Sequence, residues 1–209
     1  MKINYQKELE KVIEKCKDSP KRLLLHVCCA PCSSYVLEYL SQYFEITVFY
    51  YNPNIEPKNE FDFRKAEERR LIAGMKTKQP VHFIGGEYKP EDFHAAIKGY
   101  EDTFEGGERC RRCFKLRLYK TAQLCKNENF DYFTTTLSIS PLKNADTLND
   151  IGLAAAKAHG VCWLYSDFKK KGGYLRSIEL SKQYSLYRQN YCGCAYSKAE
   201  RELLQSGNK

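Results

Sequence analysis

Two hydrophobic rhythms alternate along the chain. Leu9, Val12, Ile13 and Cys16 recur at helical spacing and predict a helix from Tyr5 to Lys17, which Ser19-Pro20 stops. The unbroken apolar run in RLLLHV (22–27) then predicts a short buried strand. Pro31 suits the first turn of a following helix, where its missing N–H would be unpaired anyway, and Tyr35, Val36, Leu37 and Leu40 continue that helix. Glu45–Tyr51, β-branched and aromatic, predicts a second strand closed by the loop NPNIEP. Phe61–Met75 is a charged amphipathic helix, Pro80–Gly86 a third strand, and Glu91–Tyr100 a helix before the acidic loop EDTFEGGERC. Arg109–Cys125 is a helix, and Phe130–Ser140 a fourth strand closed by Pro141. Asp146–His159 is an alanine-rich helix with Gly160 past its end, followed by a fifth short strand, VCWLYS (161–166). A last long helix runs from Tyr174 to about Gln189 and leads into YCGCAYS.

Strand and helix in alternation predict an α/β fold: a mostly parallel sheet with helices on both faces, in three layers. The short loops favour one domain over 1–209, with a helical N-terminal extension (1–19) and the 174–197 segment packed on it. Ligands of such sheets bind outside the carboxyl ends of the strands. HVCCAPCSS (26–34), SISPLKN (138–144) and YSDF (165–168) lie at those ends.

Composition narrows the function. The 209 residues are 43% hydrophobic and 29% charged, as in ordinary globular proteins. A net charge of +8 fits a polyanionic partner, nucleic acid above all. The charged N-terminus lacks the apolar core of a signal peptide, and no run approaches a membrane span, so a cytoplasmic protein without a membrane partner is expected. Ten cysteines in that compartment point to metal ligands or redox catalysts instead of a disulfide scaffold.

The cysteines sort into three clusters and three singles, Cys16, Cys125 and Cys162, which are expected as small buried hydrophobes. Cys28-Cys29 sits at a strand-to-helix corner, where a turn lets neighbouring side chains converge. Cys110-x-x-Cys113 at a helix start puts two thiolates on one side. Four such sulfurs suit a four-iron cluster or tetrahedral zinc, and both remain open at this point. Cys32, one turn on, is either a ligand of a second metal ion, a spare ligand or a packed thiol. Cys192-Gly193-Cys194 has the spacing of a strained, easily reduced disulfide or of two further metal ligands. His26 is a candidate partner behind the cysteine pair. Arg109, Arg111, Arg112, Lys115, Arg117 and Lys120 crowd the helix of the second cluster. Lys169-Lys170-Lys171 precede Gly172-Gly173, and Tyr184, Tyr187, Arg188, Tyr191 and Tyr196 surround the third cluster. Cations mixed with aromatic rings suit RNA phosphates and splayed-out bases.

HVCCAPCSS, CRRCFKLRL, TTTLSISPLKN, DFKKKGGYLRSIELSK and YRQNYCGCAYS together resemble the QueH-type epoxyqueuosine reductases, from about Leu23 to Ser197. The resemblance implies a Rossmann-like fold related to the adenine-nucleotide α-hydrolase-like (HUP/PP-loop) superfamily. It implies reduction of the epoxide of epoxyqueuosine, at the anticodon wobble position of tRNA, in the last step of queuosine synthesis. The implied cofactors are a [4Fe-4S] cluster on Cys28, Cys29, Cys110 and Cys113 and an additional mononuclear iron, for which Cys32 is a candidate ligand. Cys192 and Cys194 are implied as the redox-active pair, fed by an electron donor that the residues do not identify. Asp167, Tyr174 and Tyr187 are candidate proton donors, and Arg111, Arg112, Lys169, Lys170, Lys171 and Arg188 candidate tRNA contacts. Two rival readings are a PP-loop-like tRNA sulfur-insertion enzyme and a non-catalytic zinc RNA-binding protein. The first needs a glycine- and serine-rich phosphate loop, and cysteines with a proline fill that corner instead.

Overall fold

The computed structural model describes residues 3–206; Met1, Lys2 and 207–209, which the expected domain bounds include, lie outside the described residues. Four strands, β1 (Lys21–His26), β2 (Phe44–Tyr50), β3 (Val81–Gly85) and β4 (Tyr132–Thr135), pair in the order β3-β2-β1-β4, all parallel. In register, Leu23 of β1 faces Ile46 and Tyr132, and His26 faces Phe49 and Thr135.

The helices are α1 (Tyr5–Cys16), α2 (Ala30–Leu40), α3 (Lys58–Gly74), α4 (Pro90–Ile97), α5 (Glu108–Asn127), α6 (Ala145–His159), α7 (Gly173–Gln183) and α8 (Ala195–Ser206). Side chains of β1 alternate between two cores, as the two-residue period of a strand requires. Leu23 and Leu25 pack with Leu9 and Ile13 of α1, Leu37 and Leu40 of α2, and Leu71 of α3. Leu24 packs on the other face with Leu118 and Ala122 of α5 and Leu148 and Ala155 of α6. Both faces are covered, so the run LLL is apolar throughout, and the result is the expected α/β three-layer sandwich. No helix among the described residues is long and apolar enough to cross a membrane.

Several expectations need correction. The fourth strand stops at Thr135, and Thr136–Ile139 form a 3-10 turn, because the Thr135 hydroxyl accepts from the Leu137 N–H at 3.2 Å and bends the chain. Residues 161–166 supply one bridge, Phe133 to Trp163, instead of a fifth strand. Cys162 is consequently exposed, whereas Cys16 and Cys125 are buried as expected. The last long helix ends at Gln183, not Gln189, and a helix not expected from the sequence, α8, follows the CGC segment. Arg109 and Arg117, read as part of an RNA-facing row, point inward and are 3% and 1% exposed.

Candidate metal centre and active-site cavity

The strand order turns back at β1: β2 and β3 lie to one side, β4 to the other. The crevice at such a switch point is where α/β sheets bind ligands, and β1 delivers its cysteines there. Cys29 is the extended N-cap of α2, and its carbonyl accepts from the N–H groups of Cys32 and Ser33, both at 3.1 Å. That turn brings Cys28 Sγ to 3.8 Å from Cys29 Sγ and places the sulfurs of Cys28, Cys29 and Cys32 within 4.8 Å of one another. Hydrogen bonding from Cys29 and Cys32 holds the Cys28 thiol well below its ordinary pKa; the contact with Cys28 and burial push Cys29 up to about 12, and contacts with Cys28 and Cys29 push Cys32 well upward. Two buried sulfurs and a half-buried third, converging within 4.8 Å, are a donor set for a thiophilic cation.

The surrounding groups are fixed. His26 is fully buried; its Nε2 lies 3.1 Å from the Tyr51 carbonyl and so carries the proton, leaving Nδ1 to accept from the Thr135 hydroxyl at 2.8 Å. Burial and the charge of Arg117 hold its pKa down at about 3, so it stays neutral. It ties β1, β4 and the β2 exit behind the cysteines and presents no free nitrogen to them. Asn52 donates to the Val27 carbonyl at 2.8 Å and accepts from Arg117 Nη1 at 3.2 Å. Nε and Nη2 of Arg117 face no hydrogen-bond partner among the described residues. Burial opposes that charge, but the sulfurs of Cys113, Cys192, Cys28 and Cys110 offset it and raise the pKa above the ordinary arginine value. A lone buried guanidinium beside several sulfurs fits an anionic metal–thiolate group.

A cavity of about 360 Å³ opens from the three sulfurs and is lined also by Leu137, Lys143, Tyr174, Arg188, Tyr191 and Cys192. A smaller one joins Cys110, Phe114 and Thr147 to Lys143 and Cys192. Cys192 and Lys143 thus stand between the first and second cysteine clusters. Cys110 receives the Gly106 N–H at 3.2 Å, and Cys113 is buried with Phe93, Ile97 and Cys194. The close three-sulfur group holds Cys32 with Cys28 and Cys29; Cys110 and Cys113 are not members of it.

The CGC loop is held by side chains from elsewhere. The carbonyl of Gly193, a residue at φ +121°, accepts from the Glu56 N–H at 3.0 Å, and a Cβ there would come within 2.9 Å of Ile55 Cγ1. Arg64 Nη1 donates to the Cys192 carbonyl at 3.2 Å, and the Ser197 hydroxyl accepts from the Cys192 N–H at 3.1 Å.

The other candidates separate. Tyr174 and Arg188 line the cavity at the three sulfurs, whereas Asp167 lines a neighbouring depression with Asn144, Asp146 and Lys170. Lys169 pairs with Asp167 at 2.9 Å and donates to the Ser138 carbonyl at 2.8 Å, stapling the turn after β4. Lys171 pairs with Glu10 of α1, and Tyr187 stacks edge-on with Phe63, 5.1 Å between centroids. Arg111 and Arg112 each pair loosely with Glu108, at 3.5 and 3.4 Å, and Arg112 also covers Tyr100 at 3.8 Å. Sequence reasoning passed over Lys143 and Asn52, although both stand in quoted strand-end segments, and Glu68, whose buried carboxyl accepts from Ser33 at 2.8 Å. Glu68 lies in a charged helical run, where nothing in the sequence marks it as internal.

Comparison with known proteins finds named relatives of the chain. The family model described as epoxyqueuosine reductase QueH matches residues 23–200. The epoxyqueuosine reductase QueH of Streptococcus pyogenes serotype M1 is 45% identical, covering 94% of this chain and 78% of its own length. The protein of the same name from Staphylococcus epidermidis is 42% identical over 94% of this chain and 85% of its own. That from Thermotoga maritima is 36% identical over 86% and 91%.

Proposed function

The chain belongs to the QueH family of epoxyqueuosine reductases, and from that premise we propose that it reduces the epoxide of epoxyqueuosine in tRNA, using iron held by its clustered cysteines. The observation that carries the reading is the trio Cys28, Cys29 and Cys32, gathered at the switch point and open to a cavity of nucleoside size. In this reading Cys28 and Cys29, with Cys110 and Cys113, hold a [4Fe-4S] cluster, and Cys32 belongs to an additional iron. What supports the second pair is its placement at the first turns of α5, around the same buried Arg117. The grouping of Cys32 with Cys28 and Cys29 equally allows it a share in the cluster.

Such a group supplies single electrons and a Lewis-acidic metal for an epoxide oxygen. Deoxygenation consumes two electrons and two protons, breaks both C–O bonds and releases the oxygen as water. Tyr174 and the ammonium of Lys143 reach the cavity as hydrogen-bond donors; Tyr174 is the best placed of the three proposed acids, since Asp167 sits in the adjoining depression and Tyr187 packs against Phe63. Cys192, on the same cavity wall, and Cys194 are the proposed redox pair, able to hold two reducing equivalents as thiols. Arg188 at the mouth and the exposed Lys170 are the proposed tRNA contacts with the freest side chains, joined by Arg111 and Arg112; Lys169 and Lys171 already pair with Asp167 and Glu10. The modified base must leave the anticodon stack to reach the sulfurs.

The test uses anaerobically iron-loaded protein, tRNA carrying epoxyqueuosine and a strong reductant, with nucleoside mass spectrometry as the readout. Queuosine should form without ATP. Strict ATP dependence would support the sulfur-insertion reading, and a colourless zinc protein without turnover the RNA-binding one.

A further inference from the structure

On α5, Cys110, Cys113 and Arg117 fall three and four residues apart and share one face of the helix. The Arg117 guanidinium is 1% exposed and lies against the Phe114 ring, 5.7 Å from its centroid. Its one hydrogen bond goes to Asn52, which in turn grips the carbonyl of Val27, the residue before Cys28. The side chain therefore spans the gap between the two segments that carry the proposed ligands. No carboxylate pairs with it among the described residues, and two of its nitrogens have no acceptor. An ion buried in this way costs several kcal/mol unless an opposite charge meets it.

We propose that Arg117 is the built-in countercharge of the sulfur-ligated iron group, a positioning residue whose fixed positive charge makes that group easier to reduce. The inference rests on the iron–sulfur reading above. A cluster bound by four thiolates gains negative charge when it accepts an electron, so a nearby cation in a dry site favours the reduced form. Asn52 supplies the orientation: it holds the guanidinium plane while tying it to the β1 exit. Arg109, buried on the same helix, differs in having a carboxylate partner: it donates to the Glu101 carbonyl at 2.7 Å and to Glu200 at 2.5 Å, which leaves Nε alone without an acceptor among the described residues. Arg117 has no carboxylate among the described residues to neutralise it and keeps two nitrogens, Nε and Nη2, for an anion.

The test is an anaerobic potentiometric titration of the loaded protein, with iron and sulfide per chain measured on every sample. Arg117→Met and Arg117→Gln should move the midpoint to more negative potential by at least the equivalent of a tenfold change in reduced-to-oxidised ratio, 59 mV for one electron. Arg117→Lys, which keeps the charge, should stay near the wild type. Loss of iron in the two neutral variants with retention in Arg117→Lys would support the same role. An unmoved midpoint in a fully loaded neutral variant overturns it, as does a lysine variant that shifts or loses iron as much as methionine. If the wild type itself holds no iron and sulfide, the iron–sulfur reading has failed, and the Arg117 comparison then has no group to act on and falls with it.

Discussion

The two sulfur-bearing regions facing the cavity are built by different means. The Cys28–Cys32 corner is made by backbone topology: a buried parallel strand ends, a helix begins, and the sheet reverses its order at that place. The Cys192–Cys194 loop has no regular structure and is held by Arg64, Ile55, Glu56 and Ser197 from three other segments. The first region would keep its shape if single polar contacts were lost. The second depends on each of them. A corner fixed by the backbone opposite a side-chain-held thiol loop suits the proposed division between electron storage that must not move and a relay that changes covalent state.

The sharpest way to break this comparison is to remove sulfur from each region in turn. Cys28→Ala or Cys29→Ala should abolish the iron–sulfide absorbance and, with it, epoxide reduction, beyond the ~10–100-fold loss typical of residues behind a ligand. Cys192→Ala should abolish turnover yet leave the absorbance and iron content intact. Equal loss of iron in all three variants would make the CGC loop part of the metal centre. Next in size, Gly193→Ala forces a residue with a Cβ into φ +121° and against Ile55, at a cost of about 1–3 kcal/mol. Thermal melts should report that loss, with turnover reduced and iron content unchanged.

A smaller effect concerns the wall behind the corner. Burial pushes the Glu68 carboxyl up to about 8 from its ordinary 4.5. The folded chain thus keeps a proton that the unfolded chain releases, so the stability from this group is full below about pH 4.5 and is lost as pH rises through about 8. Glu68→Gln should flatten that decline, measured by denaturant unfolding from pH 5 to 8.5, and should not destabilise the protein at the alkaline end. The smallest effect belongs to the rim. Lys170→Ala should weaken tRNA binding, lower the log–log salt slope by about 1, and leave kcat alone.

The corner was legible in the sequence because its causes are local: an apolar run, a proline at a helix start and adjacent cysteines. The inward side of α5 was not. Arg109 and Arg117 look like their exposed neighbours Arg111 and Lys115 in a row of cations, and only tertiary partners such as Asn52 and Glu200 set them apart. The shortness of β4 was hidden for a related reason. TTTLSIS is β-branched and apolar, but the Thr135 side chain caps a 3-10 turn that strand propensity does not register. The unexpected α8 follows from the same limit, since its start is fixed to the CGC loop by Ser197.

The central claim is that the sulfurs at the end of β1 bind the iron that serves the cavity. Anomalous diffraction at the iron edge, from crystals grown and kept without oxygen, tests it most directly. The account predicts iron bonded to Sγ of Cys28 and Cys29, on the cavity floor opposite Tyr174 and Cys192. Iron found elsewhere in a sample that converts epoxyqueuosine, with those two thiols unligated, would contradict it.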